Sequence, residues 1–329
     1  MSVKLWIISL LAALTAFEPA GTVGMTQIIQ SDSSVLMQTV EENMQQQFDL
    51  EERMLEEKIN SVSSSSAQPQ SKIVPILLYH HLAPEGEESG TMVYPATFAR
   101  HMQLLSEHGF TPVSFEDLIA FVDEGAKLPD HPVIITFDDG YYSNYEYAFP
   151  ILQEYSFPAT IFAVGSSIGH MDNYKDTNHP ITPHFGAEQA KEMAASGLIS
   201  IHSHTYDMHQ WPPFETGETV RENILPLAGE DRWNYALALM DDVAEQDTVF
   251  AACGLEKSNV LAFPGGRHAT ISDMVLQACG YRVTVTTDPT RVNTVVQGQS
   301  HSLIDLGRMN ISGTTTDAEL LRYLSMGVS

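Results

Sequence analysis

Positive charge is scarce in this chain. Sixteen Lys and Arg stand against 42 Asp and Glu in 329 residues, a formal charge of −26. DNA, RNA and anionic lipid all need a cationic surface to bind, so none of them is expected as a partner. Cysteine is scarcer still. Two residues, Cys253 and Cys279, exclude a four-cysteine zinc site and a disulfide-rich scaffold. Each stands before a glycine at the end of a helical pattern, and in an exported domain the two could pair. No apolar run reaches the ~20 residues that a membrane-spanning helix needs. The hydrophobic fraction, in contrast, is an ordinary 43%, with 9% aromatic residues, which excludes wholesale disorder. Thirteen histidines make imidazole the natural place to look for a metal site.

The longest apolar run near the start is Leu5 to Phe17, LWIISLLAALTAF, behind Lys4. It is short enough for the h-region of a secretory signal. Residues 1–24 are therefore expected to be a signal peptide or membrane anchor. The protein is expected to be secreted or at the cell surface, touching membrane only through this segment. Residues 25–72 differ in texture. Leu36, Val40, Met44, Phe48, Leu55 and Ile59 recur among Glu and Gln, as on one face of a helix, and a Ser-rich tract follows (SVSSSSAQPQSK). This reads as a helical stalk and linker, with a short dimerising coiled coil as the alternative. Oligomeric state stays open.

From Ile73 onward, short apolar runs alternate with helical patterns, many of which end at glycine. The predicted strands are Ile73 to His80, Pro132 to Phe137, Pro158 to Val164, Leu198 to His202, Asn259 to Phe263, Tyr281 to Thr286 and Leu303 to Met309. Seven apolar strands separated by helices argue for an α/β fold with a parallel sheet, a barrel or a doubly wound sheet, over residues 73–329. Such folds carry their chemistry at the C-terminal ends of the strands.

Two strand ends are unusual. One reads Thr136-Phe137-Asp138-Asp139-Gly140. Side chains alternate across a strand, so one carboxylate can hold a metal while its neighbour holds or deprotonates a water. The other reads His202-Ser203-His204-Thr205-Tyr206-Asp207-Met208-His209, three histidines in eight residues. Two imidazoles and one carboxylate would complete a catalytic zinc site with an open position. His202 and His204, two apart, project to the same face.

These clusters resemble the polysaccharide deacetylases, the carbohydrate esterases built on the NodB homology domain. The similarity runs from Ile73 to Met309. It implies a distorted (β/α)7 barrel that hydrolyses N-acetyl groups of an N-acetylglucosamine-containing glycan and releases acetate. It also implies a divalent metal, with Zn2+ as the default. Thr136 to Gly140 matches the family's first motif, which assigns Asp138 as the general base and Asp139 as a metal ligand. The second motif begins at His204, but the next histidine, His209, lies five residues on. That wider spacing resembles the exported branch acting on poly-N-acetylglucosamine. It makes His204 and His209 the remaining ligands, with His202 in reserve. Ala262 to Gly266 resembles the segment whose backbone holds the oxyanion, which brings in Pro264 and Gly265. The late family motif carries a general-acid histidine. Here the corresponding segment, Asp305 to Met309, has Arg308 and no histidine. Arginine stays protonated and donates a proton poorly. His80, at the end of the first strand, is a candidate active-site residue, and His268 and His301 are weaker candidates for the acid. Tyr141, Tyr142 and Trp211, with residues 165–185, could line a sugar groove. Two other readings remain at this point: a hydrolase of a different amide or ester with the same metal site, and a catalytically weak barrel that binds glycan.

Overall fold

The computed structural model describes residues 69–86, 89–212, 214–215 and 219–327. The expected signal or anchor, and the expected stalk up to residue 68, lie outside the described residues. No helix among the described residues is long and apolar enough to cross a membrane.

Eight parallel strands form the central sheet among the described residues: a short one, Thr111–Pro112, pairs only with Pro132 and Val133, and the other seven run across it in one path. The seven are β1 (Ile76–Tyr79), β2 (Pro132–Phe137), β3 (Ala159–Ala163), β4 (Ile199–Ser203), β5 (Val260–Ala262), β6 (Val283–Val285) and β7 (Met309–Asn310). Their spatial order is β6-β5-β4-β3-β2-β1-β7. One segment touches both edges of this sheet. Leu306 bridges in parallel to Val285 in β6, and three residues later β7 pairs with Leu77 and Leu78 of β1. The sheet is thereby curled toward closure, as a seven-stranded barrel requires. The predicted closing strand, Leu303 to Met309, is broken. Ser300–Leu303 winds into a 3-10 turn, and Asp305 sits at φ 59, a left-handed conformation that ends extended pairing.

Alternation along the strands sorts the core into two clusters. Val133, Ile135 and Phe137 of β2, Ile161 and Ala163 of β3, and Ile199 and Ile201 of β4 face the outer helices. Ile134 and Phe162, with Val260, Ala262, Val283 and Val285, face inward. By the same period Asp138 and His204, just past their strands, follow the inward columns. The outer layer includes α1 (Pro95–Glu107), α3 (Phe149–Tyr155) and α4 (Ala187–Ala195). Of the longer α5 (Arg232–Ala252), Phe250 joins this cluster. A further helix is α2 (Phe115–Glu124). It inserts Phe115, Leu118, Phe121 and Val122 into the inner cluster. Its ends carry ordinary signals: a Ser114–Asp117 capping box and Gly125 at φ 73. Helix α6 (Thr270–Ala278) follows β5, and α7 (Asp317–Leu324) closes the chain, its Tyr323 hydroxyl donating to the Ile76 carbonyl at 3.1 Å.

Cys253 and Cys279 each follow the last turn of a different helix, α5 and α6, and both are free thiols. The pairing considered from the sequence is not made.

Phe162 links the inner core to the site above it. Its ring packs on Phe115 at 5.8 Å and lies 5.4 Å from the Arg308 guanidinium carbon. Phe162→Ala is expected to lower stability by roughly 3–5 kcal/mol in chemical denaturation, the usual cost of emptying a buried aromatic site.

Candidate metal centre and active site

At the end of β2 the Asp138 N–H donates to the Tyr79 carbonyl at 3.0 Å, which continues the strand pairing by one residue. Asp139 then turns left-handed, at φ 72. Aspartate tolerates this conformation better than most residues. Gly140 follows at φ 80, where an added Cβ would lie 3.1 Å from the Ala163 Cβ. The reversal of backbone hand brings the Asp139 carboxylate to the same mouth as the next strand's histidines. On β4 the His204 N–H donates to the Ala163 carbonyl at 3.0 Å. Thr205 is left-handed at φ 73, an uncommon state for a β-branched residue that here turns the chain toward His209. Asp242 on α5 holds that loop by accepting the Tyr206 and Asp207 N–H groups at 2.8 Å each.

Both histidines are held in one tautomer by carbonyl groups. Nδ1 of His204 is 2.8 Å from the Ala262 carbonyl, and Nδ1 of His209 is 3.1 Å from the Glu222 carbonyl. A carbonyl only accepts, so Nδ1 carries the proton and Nε2 presents a lone pair. The two Nε2 atoms lie 3.6 and 3.7 Å from Oδ1 of Asp139. The three ligand atoms of Asp139, His204 and His209 lie within 4.8 Å of one another. Two imidazole lone pairs and a carboxylate converge with no proton between them, so the donor set fits a divalent cation. Burial lowers the His204 pKa and keeps the ring neutral. Burial alone would raise Asp139, but the neighbouring His80, His209 and His204 outweigh it and leave its pKa lowered.

Asp138 is only 4% exposed and Arg308 fully buried. The guanidinium grips the carboxylate with both arms, at 2.6 and 2.7 Å, and donates to the Thr286 carbonyl at 3.2 Å. Burial pushes the Asp138 pKa up, but the Arg308 charge outweighs it and sets the pKa at about 2. From the sequence, Arg308 stands in the segment where the family's general acid is expected. The structure places it beneath Asp138, with its guanidinium taken up by that carboxylate and its backbone and hydroxyl neighbours.

His80 acts electrostatically on both Asp138 and Asp139, and its buried Nδ1 has no hydrogen-bond partner. Its carbonyl is fixed by the Asn144 side chain at 2.7 Å. Tyr141 hydrogen-bonds the Asp139 carboxylate, whose charge is the main reason its pKa lies well above normal, so it stays a donor. His184 packs on the Tyr141 ring at 4.9 Å, and burial lowers its pKa to about 4. The Tyr141 hydrogen bond and His184 were not visible as site features in the sequence. Pro264 and Gly265 form a 3-10 turn directly after β5, close in sequence to the Ala262 carbonyl that holds His204.

The remaining histidines are engaged elsewhere. His202 points inward, as its spacing from His204 predicts. However, its Nε2 meets Glu116 of α2 at 2.9 Å, and it is not part of the ligand trio. His268 is held at both nitrogens, by Asp273 at 3.0 Å and Asp305 at 3.1 Å. Those bonds raise its pKa to about 9. His301 is exposed on the 3-10 turn before β7.

A cavity of about 350 Å³ opens beside Asp139 and His209, and Tyr141, Tyr174, Trp211 and Phe214 supply its aromatic lining. Trp211 is 55% exposed. Lys175 ties the two loops of this lining together through Asp207 at 2.6 Å and through Glu215.

Arg308→Met is expected to cost roughly 3–5 kcal/mol, because it leaves Asp138 buried and unpaired. Adding Asp138→Asn should recover part of that loss. A double variant no more stable than the single one would show that the pair's charge is not what matters. His268 gives a separate pH signature. Its folded pKa of about 9 lies above the ordinary value of 6.5, so its contribution is complete below 6.5. That contribution is lost as pH rises toward 9, and thermal melts of His268→Gln should lack this decline.

Comparison with known proteins now bears on the reading. Residues 125–284 match the polysaccharide deacetylase family. The Bacillus subtilis protein YxkH, named as a polysaccharide deacetylase, is 31% identical over 216 residues, which cover 66% of this chain and 65% of that one. The poly-β-1,6-N-acetyl-D-glucosamine N-deacetylase of Escherichia coli K12 is 32% identical over 143 residues, 40% of this chain and 20% of that one. The chain therefore spans less than two thirds of either relative. Among solved structures, IcaB from Ammonifex degensii superposes with a TM-score of 0.61 at 23% identity, covering 78% of this chain and 98% of that one, a likeness of fold. Residues 125–284 of this chain are thus a polysaccharide deacetylase domain.

Proposed function

We propose that this protein is an exported, metal-dependent de-N-acetylase that removes acetyl groups from a poly-N-acetylglucosamine chain. The observation that carries the reading is the juxtaposition of two acid–base elements at one mouth. The proton-free trio Asp139, His204 and His209 sits beside Asp138, whose ionised carboxylate lies with Oδ2 3.8 Å from the His204 Nε2. A pure glycan-binding barrel has no use for a second, separately oriented carboxylate. The aromatic cavity suits the apolar faces of sugar rings. The apolar run at Leu5 to Phe17 supports export. The E. coli relative's name points to a β-1,6-linked polymer.

A divalent cation held by Asp139, His204 and His209 would supply Lewis acidity toward an acetamide carbonyl and a water, and the nitrogen-rich donor set favours zinc. Asp138 stays ionised because Arg308 lowers its pKa to about 2, and the bidentate grip fixes its orientation. It accepts the proton of the attacking water. A carboxylate this weakly basic does not retain a proton, so a second group must complete the transfer. His80 is the histidine beside both aspartates that is not in the ligand trio, and we assign it to deliver a proton to the departing amine nitrogen. A backbone N–H at Gly265 would steady the oxyanion. Water and amide are consumed, and acetate and a free amine leave.

The test uses the full chain loaded with zinc and N-acetylglucosamine oligomers of β-1,4 and β-1,6 linkage, with acetyl loss followed by mass spectrometry. Asp138→Asn and His80→Gln should each slow acetyl loss by about 10²-fold or more while retaining zinc, and His209→Gln should lose the metal. Zinc retained by His209→Gln, or undiminished acetyl loss with Asp138→Asn, would overturn the assignment.

A further inference from the structure

A second, smaller cavity of about 170 Å³ lies across a ridge from the first and has no part in the chemistry described above. Its lining includes His81, Tyr142, Ser143, Glu146, Tyr147 and Pro183. The ridge is the pairing of Tyr141 with His184, extended by the Tyr142 N–H donating to the Pro183 carbonyl at 2.7 Å. Tyr141 and His184 face the metal-side cavity, and Tyr142 and Pro183 face this one. The two cavities are close. The Tyr141 ring is 5.4 Å from the His81 ring on one side and 4.9 Å from the His184 ring on the other. Adjacent units of one polymer can therefore occupy both.

The lining has a specific chemical character. Glu146 and Tyr147 belong to a π-turn, Asn144–Ala148, that immediately precedes α3. Such turns are rare and occur often at functional sites. This one has a physical cause in the sequence. Pro150 has no N–H for the Glu146 carbonyl, and its ring would crowd that carbonyl in a regular helix. The chain widens instead, and the Phe149 N–H reaches back to the Asn144 carbonyl. Glu146 hydrogen-bonds the Tyr147 hydroxyl. Among the described residues it has no cationic partner, and no Lys or Arg lines the cavity. His81 is held at Nδ1 by the Ser143 hydroxyl at 2.9 Å, and burial lowers its pKa, so it adds no positive charge at neutral pH. The result is an exposed carboxylate that shares the cavity lining with Tyr142 and Tyr147 and has no cationic partner among the described residues. That combination recognises an ammonium group, through an ion pair and the aromatic faces.

We propose that this cavity is a subsite for a protonated amino sugar, namely a glucosamine unit of the polymer that has already lost its acetyl group. The inference rests on the deacetylase reading, because that reaction turns a neutral acetamide into an ammonium on the same chain. The enzyme would then engage partly deacetylated polymer with one unit over Glu146 and the next acetylated unit beside Asp139. It would act preferentially next to units already converted.

The test separates this proposal from the reading it rests on by using binding as well as turnover. Zinc-loaded full chain is titrated with a glucosamine tetramer, which has no acetyl group to lose, and with the matching N-acetylglucosamine tetramer. The wild-type chain should bind the glucosamine tetramer more tightly, and added salt should weaken that preference. Glu146→Gln should reduce the preference by up to about fivefold, the range of a solvent-accessible ion pair. Tyr147→Phe keeps the wall but removes the hydroxyl that steadies the carboxylate, and should reduce it less. Equal binding of both tetramers by the wild type, or an undiminished preference in a folded Glu146→Gln, would overturn the subsite. A glucosamine preference that depends on Glu146, in a protein that releases no acetate from any oligomer, would sink the deacetylase reading and leave the amine site standing.

Discussion

The buried pair of Arg308 and Asp138 is the interaction on which the site depends. It joins residues 170 positions apart, from the two ends of the domain's chain path. Arg308 lies between Leu306, which bridges to β6, and β7, which pairs with β1. The closing strand is only two residues long, and so few backbone hydrogen bonds hold it weakly. The bidentate contact at 2.6 and 2.7 Å adds a second attachment, from inside the barrel, at the level of the Asp139–His204–His209 trio. Such a pair is not a net source of stability, since two desolvated charges roughly cancel their own attraction. Its effect is to fix one geometry. A barrel that failed to close would leave both charges buried and unmatched, so closure of the fold and orientation of Asp138 are a single event.

The same logic of forced complementarity governs the metal side. Each histidine of the trio has Nδ1 committed to a backbone carbonyl, Ala262 for His204 and Glu222 for His209. Those carbonyls belong to different segments, β5 and a loop thirteen residues beyond His209. The tautomer that makes each Nε2 a ligand is therefore set by the fold before any cation arrives. Tyr141 adds a donor to Asp139, and Asp242 pins the intervening loop through two backbone amides. The left-handed backbone at Asp139 and Thr205 stores strain that these surrounding bonds hold in place.

Much of the architecture was legible in the sequence because buried parallel strands are apolar on both faces. Pro132–Phe137 coincides with the expected run, β3, β5 and β6 fall inside theirs, and β4 runs one residue further, to Ser203. The first run was read too long because Pro75 interrupts it, and the last because Asp305 reverses hand within it. Helix α2 carried its capping box and terminal glycine in plain view. Its role, plugging the inner core, departs from the strand–helix alternation around it. That Asp138-Asp139 and the histidine cluster meet at one mouth was legible from their places at strand ends, and the choice of His204 and His209 came from the family resemblance. The partner of Asp138 was not legible, because nothing local to Arg308 marks it as anything but a surface cation. His268 shows the reverse case. As a sequence feature it is a free histidine near a strand end, whereas in space Asp273 and Asp305 occupy both of its nitrogens.

The aromatic groove raises a question of rigidity that its composition alone does not answer. Sugar rings offer weak, shallow contacts, so a stacking wall that must first be ordered loses much of its binding energy to entropy. Tyr174, Phe214 and Trp211 lie on two separate loops, and Lys175 crosslinks those loops through Asp207 and Glu215. The ammonium is largely shielded, and Tyr174 shares the Glu215 carboxylate with it. Ser166 and Gln210 donate to the same Asp207, at 2.9 and 3.0 Å. One cation thus gathers two carboxylates that the chain's acidic composition would otherwise set against each other. In a protein with 16 cationic residues against 42 anionic ones, the placement of each cation is consequential. Arg308 fixes the Asp138 carboxylate and Lys175 the aromatic wall of the larger cavity, and the second cavity carries a carboxylate with no such partner among the described residues. Its negative charge remains available to something that arrives from outside.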